Sequence, residues 1–363
     1  MMAVLDSSGS NPATAAARSK ARRAKLLDET RMRQLLQMTP DQLVTGVADC
    51  GYRTEIDTYS MRLEGAELVE VALKHNLSRE LSEVVRYCQG VLKNHVKVYT
   101  DRFSYQNAKI VLRAVAANVD SLAHNDVSTE EVSKSILPEE NDFNSDWLAL
   151  VNESSSLKEA VDSMSGTPWG RALSETSAES TLQEMEDALD RHYYSEALSA
   201  TRMPDPSSST LRRYIQTEVD HLNITNILRG LREGLPVESR ANMLLSGGRI
   251  WNATQLRNAA AVDDHAGLVD LLRRSSNFDA VGFEEALSAT EGAGTLDSAL
   301  NWLSHQIDSH LRRMSYLHPL SALPVINYIA SKAKEVSELL LIVRGLSAGL
   351  DRKVIEEHLS FLK

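Results

Sequence analysis

Three stretches of this chain share the same ending and recur at almost constant spacing. Each is an apolar run that finishes on an arginine followed by a small residue, and the arginines are Arg113, Arg229 and Arg344. The intervals between them are 116 and 115 residues. Earlier helical runs repeat on nearly the same period, one set ending at Ala72, Ala188 and Ala299. Because this period exceeds the roughly 20 to 50 residues of a solenoid repeat, it indicates a small domain duplicated twice.

The local pattern within each repeat is helical. Residues 67–77 space their apolar side chains three and four apart, and the alternation expected of strands is absent. We therefore predict an all-α fold. We expect three similar helical domains to pack around a pseudo-threefold axis, because the same kind of interface then forms between each pair. Such an arrangement leaves a funnel along the axis. The predicted boundaries are a flexible N-terminal tail over 1–14 and repeats over 15–130, 131–250 and 251–363.

Length and cysteine content agree with a multidomain protein of a reducing compartment. The chain has 363 residues, more than a single hydrophobic core usually serves. Its two cysteines, Cys50 and Cys88, lie outside any C-x-x-C spacing and are too few to staple a chain of this size. We expect both to be buried thiols.

The charge of the chain argues against a nucleic-acid partner. The formal net charge is −11, whereas binding to phosphates requires a concentrated positive surface. Residues 18–33 are nevertheless basic, with seven lysines and arginines against Asp28 and Glu29. This run is either a solvated helix face or a contact for an acidic protein partner.

Neither a membrane span nor a secretory signal is predicted. No apolar run approaches the roughly 20 residues that a membrane-spanning helix needs. The first 25 residues are rich in Ala, Ser and Arg, as organellar transit peptides are, but they lack an apolar centre. We favour the interpretation that these residues begin the fold itself.

The sequence offers no assembled catalytic site. His305 and His310 are five residues apart, which does not place them on one helix face for a metal ion. Asp263 and Asp264 could mark a magnesium-dependent helical prenyl-transfer enzyme, but a second acidic motif is missing and they read as a helix start. A phosphate-binding Gly-Lys-Ser/Thr loop is also missing. We predict a protein that is not an enzyme, with no cofactor, no metal and no small-molecule substrate.

The repeated arginines have both a structural and a functional interpretation. Gly230 and Gly345 follow Arg229 and Arg344 directly, which predicts helices that close on a left-handed glycine with a cation in the last turn. The arginines could instead contact a partner. Asn107 and Asn223, six residues before an arginine, are expected to be hydrogen-bonded structural groups.

Three motifs in order resemble those of a known family. They are the basic opening at 17–27, the recurring Asn-Leu-x-x-Ile-Leu-Arg-Gly ending, and Leu-Leu-Ser-Gly-Gly-Arg at 244–249. Together they resemble the C subunit of archaeal V/A-type ATP synthases, equivalent to the d subunit of the vacuolar ATPase, from about residue 15 to the end. Ser246 departs from the proline that the family often has before the glycine pair, and Ala114 replaces glycine in the first repeat.

The resemblance implies a non-catalytic central-stalk (rotor) component of a rotary V/A-type ATPase or ATP synthase. Such a component is a socket that links the soluble shaft to the proteolipid ring, and it supports proton or sodium transport coupled to ATP. It implies a peripheral position at the cytoplasmic face of the cell membrane. The alternative is a helical scaffold or adaptor unrelated to ATPases. Candidate contacts with an acidic shaft tip are Arg18, Arg22, Lys25, Arg113, Arg229 and Arg344.

Overall fold

The described part of the chain is built from helices. A computed structural model of the protein describes residues 9–120, 132, 135–138, 143–174, 176, 180–291 and 295–359. All regular secondary structure in these ranges is helical, so the prediction of an all-α fold is confirmed. The pseudo-threefold funnel stays a prediction.

The described residues group into two compact units. The terminal unit comprises those of 1–160 together with 324–363, and the central unit comprises those of 161–323. The predicted boundary at 130/131 lies outside the described residues, and so do residues 1–8 of the predicted tail. The three-repeat boundaries stay a prediction.

The helices up to the beginning of the central unit are α1 (Pro12–Arg23), α2 (Glu29–Leu36), α3 (Pro40–Val47), α4 (Arg53–Tyr59), α5 (Gly65–Tyr87), α6 (Gly90–Asp120), α7 (Phe143–Glu153) and α8 (Leu157–Ser163). A π-helical turn (Ala48–Tyr52) joins α3 to α4. The helices that follow are α9 (Pro168–Leu173), α10 (Leu182–Ala200), α11 (Pro206–Arg232), α12 (Val237–Asn242), α13 (Ala253–Ala260), α14 (His265–Leu272), α15 (Ala280–Glu291), α16 (Asp297–Leu317), α17 (Leu323–Ser347) and α18 (Arg352–His358).

The core of the terminal unit is built around α5 and α17. On α5 the side chains of Leu68, Val69, Ala72, Leu73 and Leu77 are buried, as their spacing of one, three and four residues predicts. Each large aliphatic side chain buried in this way contributes about 1.5 to 3 kcal/mol. The apolar stripe therefore accounts for why this segment is a helix in the folded chain.

A buried polar cluster joins the C-terminal helix α17 to the N-terminal segment of the same unit. The Lys332 ammonium lies 2.8 Å from Glu335 Oε1 and 2.8 Å from the Tyr52 hydroxyl oxygen. Tyr52 Oη donates to the same carboxylate oxygen at 2.6 Å, and the Leu27 amide donates to the other at 2.6 Å. Burial raises the pKa of the Tyr52 hydroxyl well above its usual value, and the Glu335 carboxylate adds to the rise. The charges are paired and hydrogen-bonded, as buried charges must be.

The central unit has its own apolar core. Ile224, Ile227 and Leu228 of α11 contribute to a buried cluster with residues of α13 to α16. Its aromatic part includes Phe283 and Trp302, whose ring centroids are 5.7 Å apart. The apolar side of α11 therefore faces into this unit.

The Asn11 side chain fastens the start of helix α1 to the terminal unit. Helix α1 begins at Pro12, and the Asn11 side chain donates to the Tyr87 carbonyl at 2.8 Å and accepts from the Gln89 amide at 2.9 Å. Cys88 is buried and Cys50 is half-buried, and neither forms a disulfide. The expectation of buried thiols is confirmed for Cys88 and is only partly met by Cys50.

Candidate partner-binding sites

Two of the three repeats end their long helix in the same way. After Arg229 the helix α11 continues to Arg232, and the amide of Leu235 donates to the Gly230 carbonyl at 2.9 Å. After Arg344 the helix α17 continues to Ser347, and the amide of Leu350 donates to the Gly345 carbonyl at 2.9 Å. Hydrogen bonds of this span define a Schellman ending. The stretches around Arg229 and Arg344 therefore share local structure as well as sequence.

The expectation that Gly230 and Gly345 adopt the left-handed conformation is wrong. The left-handed glycines are Gly234 (φ +66°) and Gly349 (φ +73°), each four residues further on. Gly230 and Gly345 lie inside their helices, where a following helix packs closely. A Cβ on Gly230 would lie 2.7 Å from Arg240 Cγ, and one on Gly345 would lie 2.7 Å from Ile355 Cδ1. The close approach of the following helix, and not a left-handed backbone, explains why glycine occupies these two positions.

The repeat-related arginines lie on exposed helix surface near the ends of long helices. Arg113 is exposed on α6 and Arg229 is exposed on α11. Arg344 pairs with Glu70 at 2.5 Å between Nη2 and Oε2. Burial and the nearby Arg344 lower the pKa of the Lys74 ammonium to about 8. The structure therefore gives Arg344 a role within the terminal unit.

The basic residues of the N-terminal segment have different surroundings. Arg22 pairs with both Glu80 and Glu83 of α5, and these carboxylates raise its pKa against the opposing effect of burial. The Arg18 guanidinium lies over the Tyr87 ring, 5.6 Å from its centroid. Lys25 is exposed just beyond α1. Arg22 thus fastens α1 to α5, whereas the Arg18 and Lys25 side chains lie at the surface.

Asn107 and Asn223 make the same pair of hydrogen bonds in two repeats. The Asn107 side chain donates to the Leu137 carbonyl at 2.8 Å and accepts from the Leu137 amide at 2.9 Å. The Asn223 side chain donates to the Leu245 carbonyl at 2.8 Å and accepts from the Leu245 amide at 2.7 Å. The expectation that both are structural groups is confirmed.

The Gly-Gly-Arg segment is held by side chains of α11. Asp220 is buried, and its carboxylate accepts from the Arg249 amide at 2.8 Å and from the Ile250 amide at 3.1 Å. Burial raises the pKa of Asp220 to about 6 in spite of these hydrogen bonds. Gln216 Nε2 donates to the Gly247 carbonyl at 3.1 Å. These hydrogen bonds therefore hold the segment against α11 where the chain turns back.

The Asp263-Asp264 pair, which could suggest a metal site, includes a helix cap. Asp264 caps α14 by accepting from the Gly267 amide at 2.8 Å, which confirms the helix start. Within the described residues, no group of three or more His, Cys, Asp and Glu side chains is arranged to hold a metal ion.

Among the described helices, none is both long and apolar enough to cross a membrane.

One surface was missed at the sequence level. A groove of about 320 Å³ lies between α11 and α16 in the central unit, and Arg229 is among the residues that line it. Its lining residues are spread along the chain from Tyr194 to Ile307, so no local pattern reveals them.

Comparison with known proteins matches almost the whole chain. A sequence model of the family described as ATP synthase (C/AC39) subunit matches residues 15–358. The C subunit of the A-type ATP synthase of Haloquadratum walsbyi is 30% identical over 357 residues, which cover 97% of this chain and 99% of that protein. The protein of the same description from Haloferax volcanii is 28% identical over 358 residues, covering 98% and 99%. That from Methanosarcina mazei is 25% identical over 354 residues, covering 96% and 93%.

Proposed function

The chain belongs to the ATP synthase (C/AC39) subunit family, and on that premise we propose that it is the central-stalk socket of a rotary A-type ATP synthase. In this role it is a non-catalytic rotor component. It joins the soluble shaft to the proteolipid ring at the cytoplasmic face of the membrane, and it transmits torque between ATP chemistry and ion movement. The observation that carries the proposal is a family match spanning residues 15–358 of 363.

The helical build supports a torque-bearing role. A coupling element must resist deformation, since bending would dissipate the rotation. Long helices such as α6, α11 and α17 provide stiff rods. The Asn107 and Asn223 hydrogen bonds fasten later chain segments to α6 and α11, and the two Schellman endings close α11 and α17.

The predicted shaft contacts differ in their surroundings. Arg22 and Arg344 already hold carboxylates within the terminal unit, and Arg18 lies over Tyr87. Lys25, Arg113 and Arg229 are exposed. We infer that Lys25, Arg113 and Arg229 contact an acidic shaft tip, and that Arg22 and Arg344 shape the surface of the terminal unit on which Lys25 and Arg113 lie.

A cross-linking experiment on the assembled complex tests the rotor role. An affinity-tagged copy of this chain is expressed with the other ATP synthase subunits, and wild-type co-purification of the head subunits and the proteolipid is established first. Single cysteines are then used to tether this chain either to a shaft subunit or to a stationary head subunit. Tethering to the shaft should leave ATP hydrolysis intact, because both parts turn together. Tethering to the head should stop hydrolysis until the disulfide is reduced.

Two results would overturn the proposal. Failure of the wild-type chain to co-purify with head subunits and proteolipid would favour a helical scaffold unrelated to ATPases. Hydrolysis that continues at the untethered rate after complete cross-linking to the head would exclude a turning component.

A further inference from the structure

A groove in the terminal unit lies between α5 and α6. Its volume is about 490 Å³, which is within the range of about 300 to 1,000 Å³ that small-molecule sites occupy. The two helices are joined only by Cys88 and Gln89, so the residues nearest this joint line one end of the groove. At the far end, the Asn107 side chain holds Leu137 by both of its backbone groups, and Leu137 and Pro138 line the groove there.

The end of the groove at the joint is lined by three cationic side chains. Arg86 lies on the last turn of α5, and Lys93 and Lys97 lie one turn apart near the start of α6. All three side chains are exposed. Asp101 is the one acidic residue among the described lining residues, and it lies one turn further from the joint than Lys97. The groove is therefore positively charged at the joint.

These cations have little compensation from carboxylates of the chain. Arg86 lies 4.0 Å from Glu83, measured between Nη2 and Oε1, and the Glu83 carboxylate also pairs with Arg22. Lys93 and Lys97 form no ion pair within the part of the chain that the structure describes. The chain has a net charge of −11, yet it leaves these two lysines without a carboxylate. Their charges are available to a bound anion.

Hydroxyl groups line the groove beyond the cations. Ser78 is only 8% exposed, and its hydroxyl makes no hydrogen bond to the described residues. The half-buried Ser82 and Ser104 also line the groove, and their hydroxyls likewise have no partner among the described residues. Buried polar groups are nearly always hydrogen-bonded, to protein, to water or to a ligand. Val85 and Phe103 add half-buried apolar surface to the same walls.

We propose that the groove between α5 and α6 binds an organic phosphate. The phosphoryl group lies at Arg86, Lys93 and Lys97, and the hydroxyl-bearing body of the ligand extends along α5 and α6 toward Ser78. A phosphate suits three neighbouring cations better than one carboxylate does, because it carries up to two negative charges and three strong acceptor oxygens. Soluble nucleotides and the headgroups of anionic phospholipids share this chemistry. The proposal does not depend on the rotor role.

Binding measurements on the purified full chain test the proposal. The soluble probes are inorganic pyrophosphate and AMP, measured by calorimetry, and the lipid probe is phosphatidylglycerol vesicles, measured by co-sedimentation against phosphatidylcholine vesicles. We expect AMP or the phosphatidylglycerol vesicles to bind with a Kd below about 1 mM at about 0.15 M salt. Binding of AMP indicates a soluble organic phosphate, whereas binding of phosphatidylglycerol vesicles alone indicates a membrane lipid.

Neutralising the two groove lysines tests the position of the phosphoryl group. Lys93→Gln combined with Lys97→Gln is compared with Lys158→Gln combined with Lys353→Gln, which removes the same charge from exposed helix positions of the terminal unit outside the groove. All four lysines are exposed, so circular dichroism should report the wild-type helix content for both variants. We expect the groove variant to raise the Kd at least tenfold, and the control to leave it unchanged.

A steric block tests the position of the organic body. Ser104→Phe places a ring in the groove beyond the cations, whereas Gln106→Phe places the same ring on an exposed position of α6 that does not line the groove. Only Ser104→Phe should weaken binding of AMP or of phosphatidylglycerol vesicles. Its effect on pyrophosphate should be smaller, because pyrophosphate has no organic body to extend past the cations.

Three results would contradict the proposal. The first is that neither AMP nor phosphatidylglycerol vesicles bind to the wild-type chain. The second is an equal loss of binding in the groove variant and its control, which would assign the effect to the overall surface charge. The third is binding of poly-glutamate, dependent on Lys93 and Lys97, without binding of any phosphate probe, which would assign the groove to an acidic protein segment. The rotor role is unaffected by these results, because the cross-linking experiment tests it separately.

Discussion

At the scale of residues, buried polar side chains of α11 determine where the returning chain lies. Asp220 holds the amides of Arg249 and Ile250, and Asn223 holds both backbone groups of Leu245. An unpaired buried backbone group costs about 1 to 3 kcal/mol, so each of these contacts has a large effect on the local fold. The sequence predicted that Asn223 is a structural group. It could not identify the partner, because Leu245 is 22 residues away across a turn.

Asp220 should make stability depend on pH in an unusual direction. Burial raises its pKa to about 6 in the folded chain, against about 3.9 for an unfolded aspartate. The folded state therefore binds this proton more tightly than the unfolded state. The stability that protonation gives is fully present below about pH 4 and is lost as the pH rises through 6. We expect Asp220→Asn to remove this loss.

Urea denaturation from pH 4 to pH 7 measures the effect. The free energy of unfolding of the wild type, relative to that of Asp220→Asn, should fall by about 2 to 3 kcal/mol over this range. A relative free energy that is independent of pH, or that rises with pH, would show that the Asp220 carboxyl is ionised throughout. Comparison with the variant cancels the contributions of the other titrating groups.

At the scale of elements, the C-terminal ends of α11 and α17 have the same arrangement of residues. Each has an exposed arginine, a glycine in close contact with the next helix, and a left-handed glycine four residues later. Sequence reasoning assigned the left-handed conformation to the wrong glycine of each pair. Both glycines fit a helix end, and only the packing of α12 and α18 distinguishes a contact glycine from a capping glycine.

Gly345→Ala should destabilise the protein although alanine is the better helix former. Intrinsic helix propensity favours alanine over glycine by about 1 kcal/mol. Crowding against Ile355, whose Cδ1 lies 2.7 Å from the added Cβ, opposes it, and overpacking typically costs about 1 to 3 kcal/mol. We expect a net loss of about 1 kcal/mol, measured by chemical denaturation.

The first repeat supplies a matched control for this substitution. Ala114 occupies the corresponding position and is buried, so Ala114→Gly should lower stability by about 1 to 2 kcal/mol through helix propensity and the loss of a buried methyl group. If Gly345→Ala instead raised stability, the close approach of α18 to this part of α17 would be refuted.

At the scale of the whole molecule, the chain leaves the terminal unit and later returns to it. Residues 324–363 complete a unit that begins at the N-terminus, and 161–323 form the other unit. The Lys332, Glu335 and Tyr52 cluster and the Tyr328 hydrogen bond to Glu80 connect the returning segment to the N-terminal part. The core of the terminal unit is therefore incomplete without the last helices.

Fragments of the chain should reflect this organisation. Residues 161–323 expressed alone should give a helical circular dichroism spectrum and a cooperative thermal transition, because their apolar core is internal to the unit. Residues 1–160 alone should lack a cooperative transition and should acquire one when a 324–363 peptide is added. A peptide with Glu335→Ala is the control, because it leaves the buried Lys332 charge unpaired, which typically costs about 3 to 5 kcal/mol. Cooperative folding of 1–160 by itself would contradict the shared core.

The sequence alone determined the helical class and the family. These depend on apolar spacing and on the order of motifs, which are properties of the chain read in one dimension. Tertiary structure decided that Arg22 and Arg344 are used within the terminal unit. It also brought Arg213, Arg249 and Arg313 within electrostatic reach of His310. The reason is physical: electrostatic interaction between side chains falls with distance in space, and distance along the chain says little about which charges come together when helices pack.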